Sequence, residues 1–152
     1  MIDCALFEPD IPQNAGNIFR LGACFGVPVH VIHPAGFSLS DRNLKRAGLE
    51  YLSRADLIEH ADWNAFEAWR VAARRRLIAF SAKASARLTD FAFRPDDMLI
   101  LGRETAGLPD VVLDAADTAL RIPIASGNRS LNVSSAAAIA VFEALRQTAQ
   151  LP

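Results

Sequence analysis

The chain has no run of about 18 apolar residues, the length a helix needs to span a bilayer. Its opening Met1-Ile2-Asp3-Cys4 carries an acid where a secretory signal would need a basic stretch. These absences argue against a membrane anchor or export and for a cytoplasmic address. Cysteine is scarce: Cys4 falls in an apolar strand-like run and Cys24 in a helix-like one. Both are expected as small buried hydrophobes rather than a disulfide or redox pair. Gly22-x-x-x-Gly26 is not the Gly-x-Gly-x-x-Gly of a dinucleotide fold, and Gly102-x-x-x-x-Gly107 lacks the Lys-Ser/Thr that completes a phosphate loop. The histidines His30, His33 and His60 make no metal set. The first two are oddly spaced in a strand-like run and point to opposite faces, and no cysteine or acidic cluster joins them.

Basic excess is missing as well. The net charge is -1, so no global positive field announces a nucleic-acid binder. Cations do gather locally, at Arg42, Lys45, Arg46 and Arg54 and again at Arg70, Arg74, Arg75 and Arg76. Each group reads either as a solvated helix face or as a surface for phosphates.

At 152 residues, 51% of them hydrophobic, the chain is sized for one domain with a substantial core. Apolar runs predict strands at Ile2 to Phe7, Val27 to Ile32, Leu77 to Phe80, Met98 to Leu101 and Ala119 to Ile124. Helices are predicted at Ala15 to Phe25, Trp63 to Arg75, Val111 to Ala116 and, rich in alanine, Leu131 to Ala149. Such alternation indicates an α/β fold with a mostly parallel sheet covered by helices. No repeat or long linker divides residues 1–152, and the first strand begins at the second residue, leaving no room for an N-terminal accessory domain.

Open parallel sheets bind ligands beyond the carboxyl ends of their strands, and three segments there are unusual. Pro9 to Arg20 is a polar turn opening a helix, in which Asn14 is a fair N-cap and Arg20 lies about two turns on. A cap and a surface salt bridge explain this segment as well as function does. In Leu99 to Pro109 a buried strand runs into a turn with two glycines around Glu104. Glycine there permits close backbone approach to a ligand, and Glu104 could accept from loop amides or from hydroxyl and amino groups. In Arg121 to Ser135, serine, asparagine and glycine crowd a strand-to-helix junction, where unpaired helix amides could meet a polar ligand.

Taken together, Pro12-x-Asn14-x-Gly16-Asn17-x-x-Arg20, Gly102-x-Glu104-x-x-Gly107-Leu108-Pro109, and Arg121-Ile122-Pro123-Ile124 followed by Ser130-Leu131-Asn132-Val133-Ser134 resemble the three motifs of the TrmH-type SPOUT methyltransferases. The opening Phe7 to Pro12 and the Arg46 to Tyr51 segment resemble the members that methylate the wobble ribose of tRNA. The resemblance covers nearly the whole chain. It implies a six-stranded, mostly parallel sheet with helices on both faces and a C-terminal deep trefoil knot. It also implies a homodimer with sites at the subunit interface, and S-adenosylmethionine as donor without a metal. Carried over by motif, Phe80, Gly102, Ile122, Ser130 and Leu131 fall on cofactor-contacting positions. Asn14, Arg20, Glu104 and Asn132 fall on catalytic or substrate-facing ones. Three residues depart from the usual pattern: Arg103 replaces a frequent proline, Ala106 a frequent arginine and Phe142 a frequent tyrosine.

The implied reaction is 2′-O-methylation of tRNA at cytidine or uridine 34, in leucine-type tRNAs. A ribose hydroxyl is a poor nucleophile, so positioning and a route for its proton are the protein's tasks. Arg20 is expected to reach the hydroxyl from the partner subunit. Its reference pKa above about 12 favours hydrogen bonding and electrostatic steering over outright proton removal. Alternative readings are methylation of another tRNA or rRNA site, and a noncatalytic knotted RNA-binding dimer.

Overall fold

The computed structural model of the chain describes residues 1–38 and 55–152. Its elements are β1 (Asp3–Phe7), α1 (Pro12–Phe25), β2 (Val29–Ile32), β3 (Leu57–His60), α2 (Trp63–Ala72), β4 (Leu77–Phe80), β5 (Ala86–Arg87), β6 (Met98–Leu101), α3 (Asp110–Ala115), β7 (Thr118–Arg121) and α4 (Val133–Gln147). Among the described residues these strands form one seven-stranded sheet, ordered β3-β2-β1-β6-β4-β7-β5. Every pairing is parallel. The count is seven, not the expected six. The two strands absent from the apolar pattern are β5, only two residues long, and β3, which carries Glu59 and His60 at the opposite edge.

Alternation along the strands feeds two cores. Cys4, Leu6, Ile78, Phe80, Leu99 and Leu101 face α1 and α4, meeting Ile18, Phe19, Ala137, Ala140 and Val141. Ala5, Phe7, Leu77, Ala79, Met98 and Ile100 face α2 and α3, meeting Phe66 and Val112. Helices therefore cover both faces, and the strands read as continuous apolar runs because both of their sides are buried. Phe66, fully buried, contributes about 1.5–3 kcal/mol by its transfer from water. Asp62 starts its helix by accepting a hydrogen bond from the Ala65 amide at 2.8 Å.

One expectation changes on this face-by-face view. Cys4 is buried, with its thiol pushed up to about 12 by burial and the neighbouring Asp3 charge. Cys24 is exposed, because the buried stripe of α1 runs through Ala15, Ile18, Phe19 and Gly22 and turns away from it. His30 is buried and meets another histidine. Its Nδ1 lies 2.8 Å from His60 Nε2 and its Nε2 3.3 Å from Asp3 Oδ2, with Phe66 and Trp69 packed around the pair. A carboxylate only accepts, so where His30 is neutral its Nε2 donates to Asp3 and its Nδ1 accepts from His60 Nε2.

The second basic group sits at the amino ends of the strands. Arg76 binds the fully buried Asp97 through two hydrogen bonds of 2.7 and 2.6 Å, Arg75 binds Asp3 at 3.0 Å, and Arg70 binds Glu67 at 2.6 Å. Arg70 also donates to the Arg75 carbonyl, so these three guanidinium groups tie the turns that begin β1, β4 and β6 and have a structural role. The group Arg42, Lys45, Arg46 and Arg54, with the Arg46 to Tyr51 segment, lies outside the described residues.

Candidate active site

At the opposite end of the sheet, the carboxyl termini of β4, β6 and β7 open into a cavity of about 600 Å³, within the usual range for small-molecule sites. Phe80, Leu101, Leu120 and Ile122 supply an apolar wall, while residues 102–104, 106–108 and 130–133 close its sides. All five residues assigned to the cofactor (Phe80, Gly102, Ile122, Ser130 and Leu131) line it, as do Asn14, Glu104 and Asn132. Three motifs far apart in sequence thus share one chamber.

A chain of hydrogen bonds joins them. Asn132 is the N-cap of α4: its Oδ1 accepts from the Ser134 amide at 2.9 Å, the Ser134 hydroxyl at 2.6 Å and the Ser135 amide at 3.4 Å. Its Nδ2 donates to Asn14 Oδ1 at 2.9 Å, and Asn14 Nδ2 donates to Glu104 Oε1 at 3.2 Å. The other carboxylate oxygen of Glu104 accepts from the Asp10 amide at 2.9 Å. The amides expected to greet a ligand at the start of α4 are therefore partly claimed by Asn132. Asn14 is not an N-cap either. The helix begins earlier, with Ile11 as a cap that makes no side-chain bond and Pro12 fixing the first turn. This places Asn14 inside the first turn, buried, with its amide free to bridge two other motifs.

Gly102 lines the cavity and is also crowded by its own loop. A Cβ there would lie 2.3 Å from the Gly107 carbonyl carbon and 2.5 Å from the Leu108 nitrogen. Its lack of a side chain lets the loop close on itself. The Arg103 and Gly107 backbones exchange hydrogen bonds of 3.1 and 2.8 Å across this turn, and Gly107 takes a left-handed φ of 70° that suits glycine.

Arg20 is the one assigned residue not lining the cavity; it is exposed on α1. Its neighbour in the chain, Leu21, borders an apolar groove with Phe25, Ile139 and Phe142, the last two 42% and 47% exposed. Sequence reasoning missed Asp10, which touches the Glu104 loop, although it lies in the polar turn that opens α1. Among the described residues no group of three or more His, Cys, Asp or Glu is placed to hold a metal ion, and no helix is long and apolar enough to cross a membrane.

This arrangement has close counterparts. The tRNA (cytidine(34)-2′-O)-methyltransferase of Beijerinckia indica is 51% identical over 147 residues, covering 97% of this chain and 92% of that one. A solved structure described as giving insights into the 2-OH methylation of C/U34 on tRNA superposes with a TM-score of 0.91 at 44% identity, covering 97% and 95% of the two chains. The SpoU methyltransferase AviRb from Streptomyces viridochromogenes, solved with AdoMet, gives a TM-score of 0.88 at 25% identity, covering 97% of this chain and 60% of that one. Residues 1–142 match the SpoU rRNA Methylase family; with three motifs converging on one cavity and relatives aligned along nearly the whole length, this chain belongs to the SpoU methylase family.

Proposed function

We propose that this protein transfers a methyl group from S-adenosylmethionine to the ribose 2′-hydroxyl of the wobble nucleotide, cytidine or uridine 34, of leucine-type tRNAs, leaving S-adenosylhomocysteine and a proton. The observation that carries this reading is the Asn132–Asn14–Glu104 relay, which gathers all three motifs around a single cavity. The cavity suits the donor. Its apolar wall of Phe80, Leu101 and Ile122 fits an adenine ring and a thioether chain, and its polar rim offers Ser130, Asn132 and Glu104. When bound there, the donor supplies an electrophilic sulfonium methyl group.

Phe80, Gly102, Ile122, Ser130 and Leu131 hold the donor, while Asn14, Glu104 and Asn132 orient the substrate side. Arg20, exposed and outside its own cavity, serves the cavity of a second copy, steering the 2′-hydroxyl and easing loss of its proton. The apolar groove bordered by Leu21 is the surface through which two copies pair. Truncating that groove by Ile139→Ser with Phe142→Ser should yield monomers by light scattering. A further part of this reading is the trefoil knot: β7 enters between β4 and β5, strands laid down earlier in the chain, as threading through a loop requires. Residues 1–152 then act as one domain, in the cytoplasm, where tRNA is modified.

The test is to map 2′-O-methylation in total RNA from cells with and without the gene. Loss of the methyl group at nucleotide 34 is expected; loss from ribosomal RNA alone would overturn the substrate assignment. A mixed dimer of one Arg20→Ala chain and one Gly102→Val chain should keep one working site, whereas two dead sites would place Arg20 within its own chain's reaction.

A further inference from the structure

The turn that carries the first motif is gripped from two sides. On one side, Gly36 approaches so closely that a Cβ there would stand 2.8 Å from the Asp10 carbonyl oxygen, and its amide donates to Pro9 O at 2.9 Å. On the other, Asp10 meets three consecutive residues of the 102–107 loop. Its amide donates to Glu104, its Oδ1 accepts from Arg103 Nη2 at 2.9 Å, and its Oδ2 accepts from the Thr105 hydroxyl at 2.6 Å. Glu8 adds a contact to Arg103 Nη1 at 3.2 Å. Hydrogen bonds from Arg103 and then Thr105 hold the Asp10 carboxyl below its usual range.

We propose that Asp10 is a positioning residue for methyl transfer: by gripping Arg103 and Thr105, the neighbours on either side of Glu104, it fixes where the Glu104 carboxylate stands in the cavity. This rests on the methyltransferase reading above. Magnitudes separate the role from mere stability. The Arg103 side chain is 40% exposed, and exposed ion pairs contribute about 0–1 kcal/mol to folding. A displacement of about 1 Å in a reacting constellation, by contrast, costs about 100-fold in rate. Loss of Asp10 should therefore be felt in turnover far more than in melting temperature.

The experiment compares Asp10→Ala, Glu104→Gln and the double variant on tRNA with S-adenosylmethionine. Asp10→Ala should lower kcat about 10- to 100-fold, and Thr105→Val, which breaks the same grip from the loop's side, should lower it in the same direction. If Asp10 acts through Glu104, the double variant is no slower than Glu104→Gln alone. Multiplied losses, or an Asp10→Ala kcat within about twofold of the parent, would overturn the inference. Should the parent protein methylate no RNA ribose, the functional reading fails by itself. The grip is then judged by amide exchange at residues 104–107, which should quicken about tenfold in Asp10→Ala; unchanged protection there overturns it.

Discussion

Replacing Gly102 by alanine adds one methyl group at a crowded backbone position in the cavity wall. The three nearest obstacles are the Gly107 carbonyl carbon, the Leu108 nitrogen and the Gly107 oxygen, at 2.3, 2.5 and 2.6 Å. Each is backbone, so none can swing aside, and each is about 1 Å inside ordinary carbon contact of about 3.5–4 Å. The 102–107 turn must open, losing the paired Arg103 and Gly107 hydrogen bonds. Two such bonds at about 1 kcal/mol each, with an overpacking cost of about 1–3 kcal/mol, amount to about 3–5 kcal/mol. If half of that falls on the donor site, S-adenosylhomocysteine should bind about 30-fold more weakly, at about 1.4 kcal/mol per tenfold. Titration calorimetry with purified protein, alongside thermal melting, reads both shares. An alanine variant that binds the product and melts like the parent would refute the reasoning, because the crowding around Gly102 would then have no energetic consequence.

Three further outcomes follow from the same geometry. Arg76→Ala leaves the buried carboxylate of Asp97 without its guanidinium partner, retaining the Arg94 amide, and should destabilise the fold by about 3–5 kcal/mol in urea, yet leave the salt dependence of tRNA binding by the folded protein unchanged; a flatter salt slope would point to a phosphate-binding role. Asn132→Ala removes the cap of α4 and the donor to Asn14, so stability should drop by about 0.5–2 kcal/mol while kcat falls by more than that loss explains; equal losses would mark a cap and nothing else. Burial, and then the charge of His30, holds the His60 ring below its ordinary pKa. The unfolded chain therefore takes up the proton first as pH falls through about 6.5. The stability this ring contributes is full above about pH 6.5 and lost as pH falls toward its folded-state value, so the melting temperature should decline on acidification less steeply in His60→Gln than in the parent. Parallel declines would remove His60 from the account.

The sequence revealed the central strands well because burial on both faces leaves no polar interruption: Leu77–Phe80 and Met98–Leu101 were legible to the residue. It hid β3, whose Glu59 turns outward to His33, and β5, too short to form a pattern. The two arginine-rich groups look alike in the sequence. Only contacts across the sheet ends show that Arg75 and Arg76 answer Asp3 and Asp97, residues far from them in the chain. The members of the cavity came through because their motifs are local, while their hydrogen-bonded order did not: Asn14 and Asn132 are 118 positions apart. The His30–His60 pair was missed for the same reason, a contact made by strand register and not by spacing.

The relay through the cavity also has a sense of direction. Because the amides of α4 occupy the oxygen of Asn132, its nitrogen must face Asn14, and Asn14 must then turn its own nitrogen to Glu104. An aspartate has the outline of an asparagine but nothing to donate. At position 14 it would satisfy Asn132 and set one carboxylate against another at Glu104. Exchanging that single side-chain amide for a carboxylate would therefore alter no volume and no contour, yet break the directed chain of hydrogen bonds that joins the three motifs.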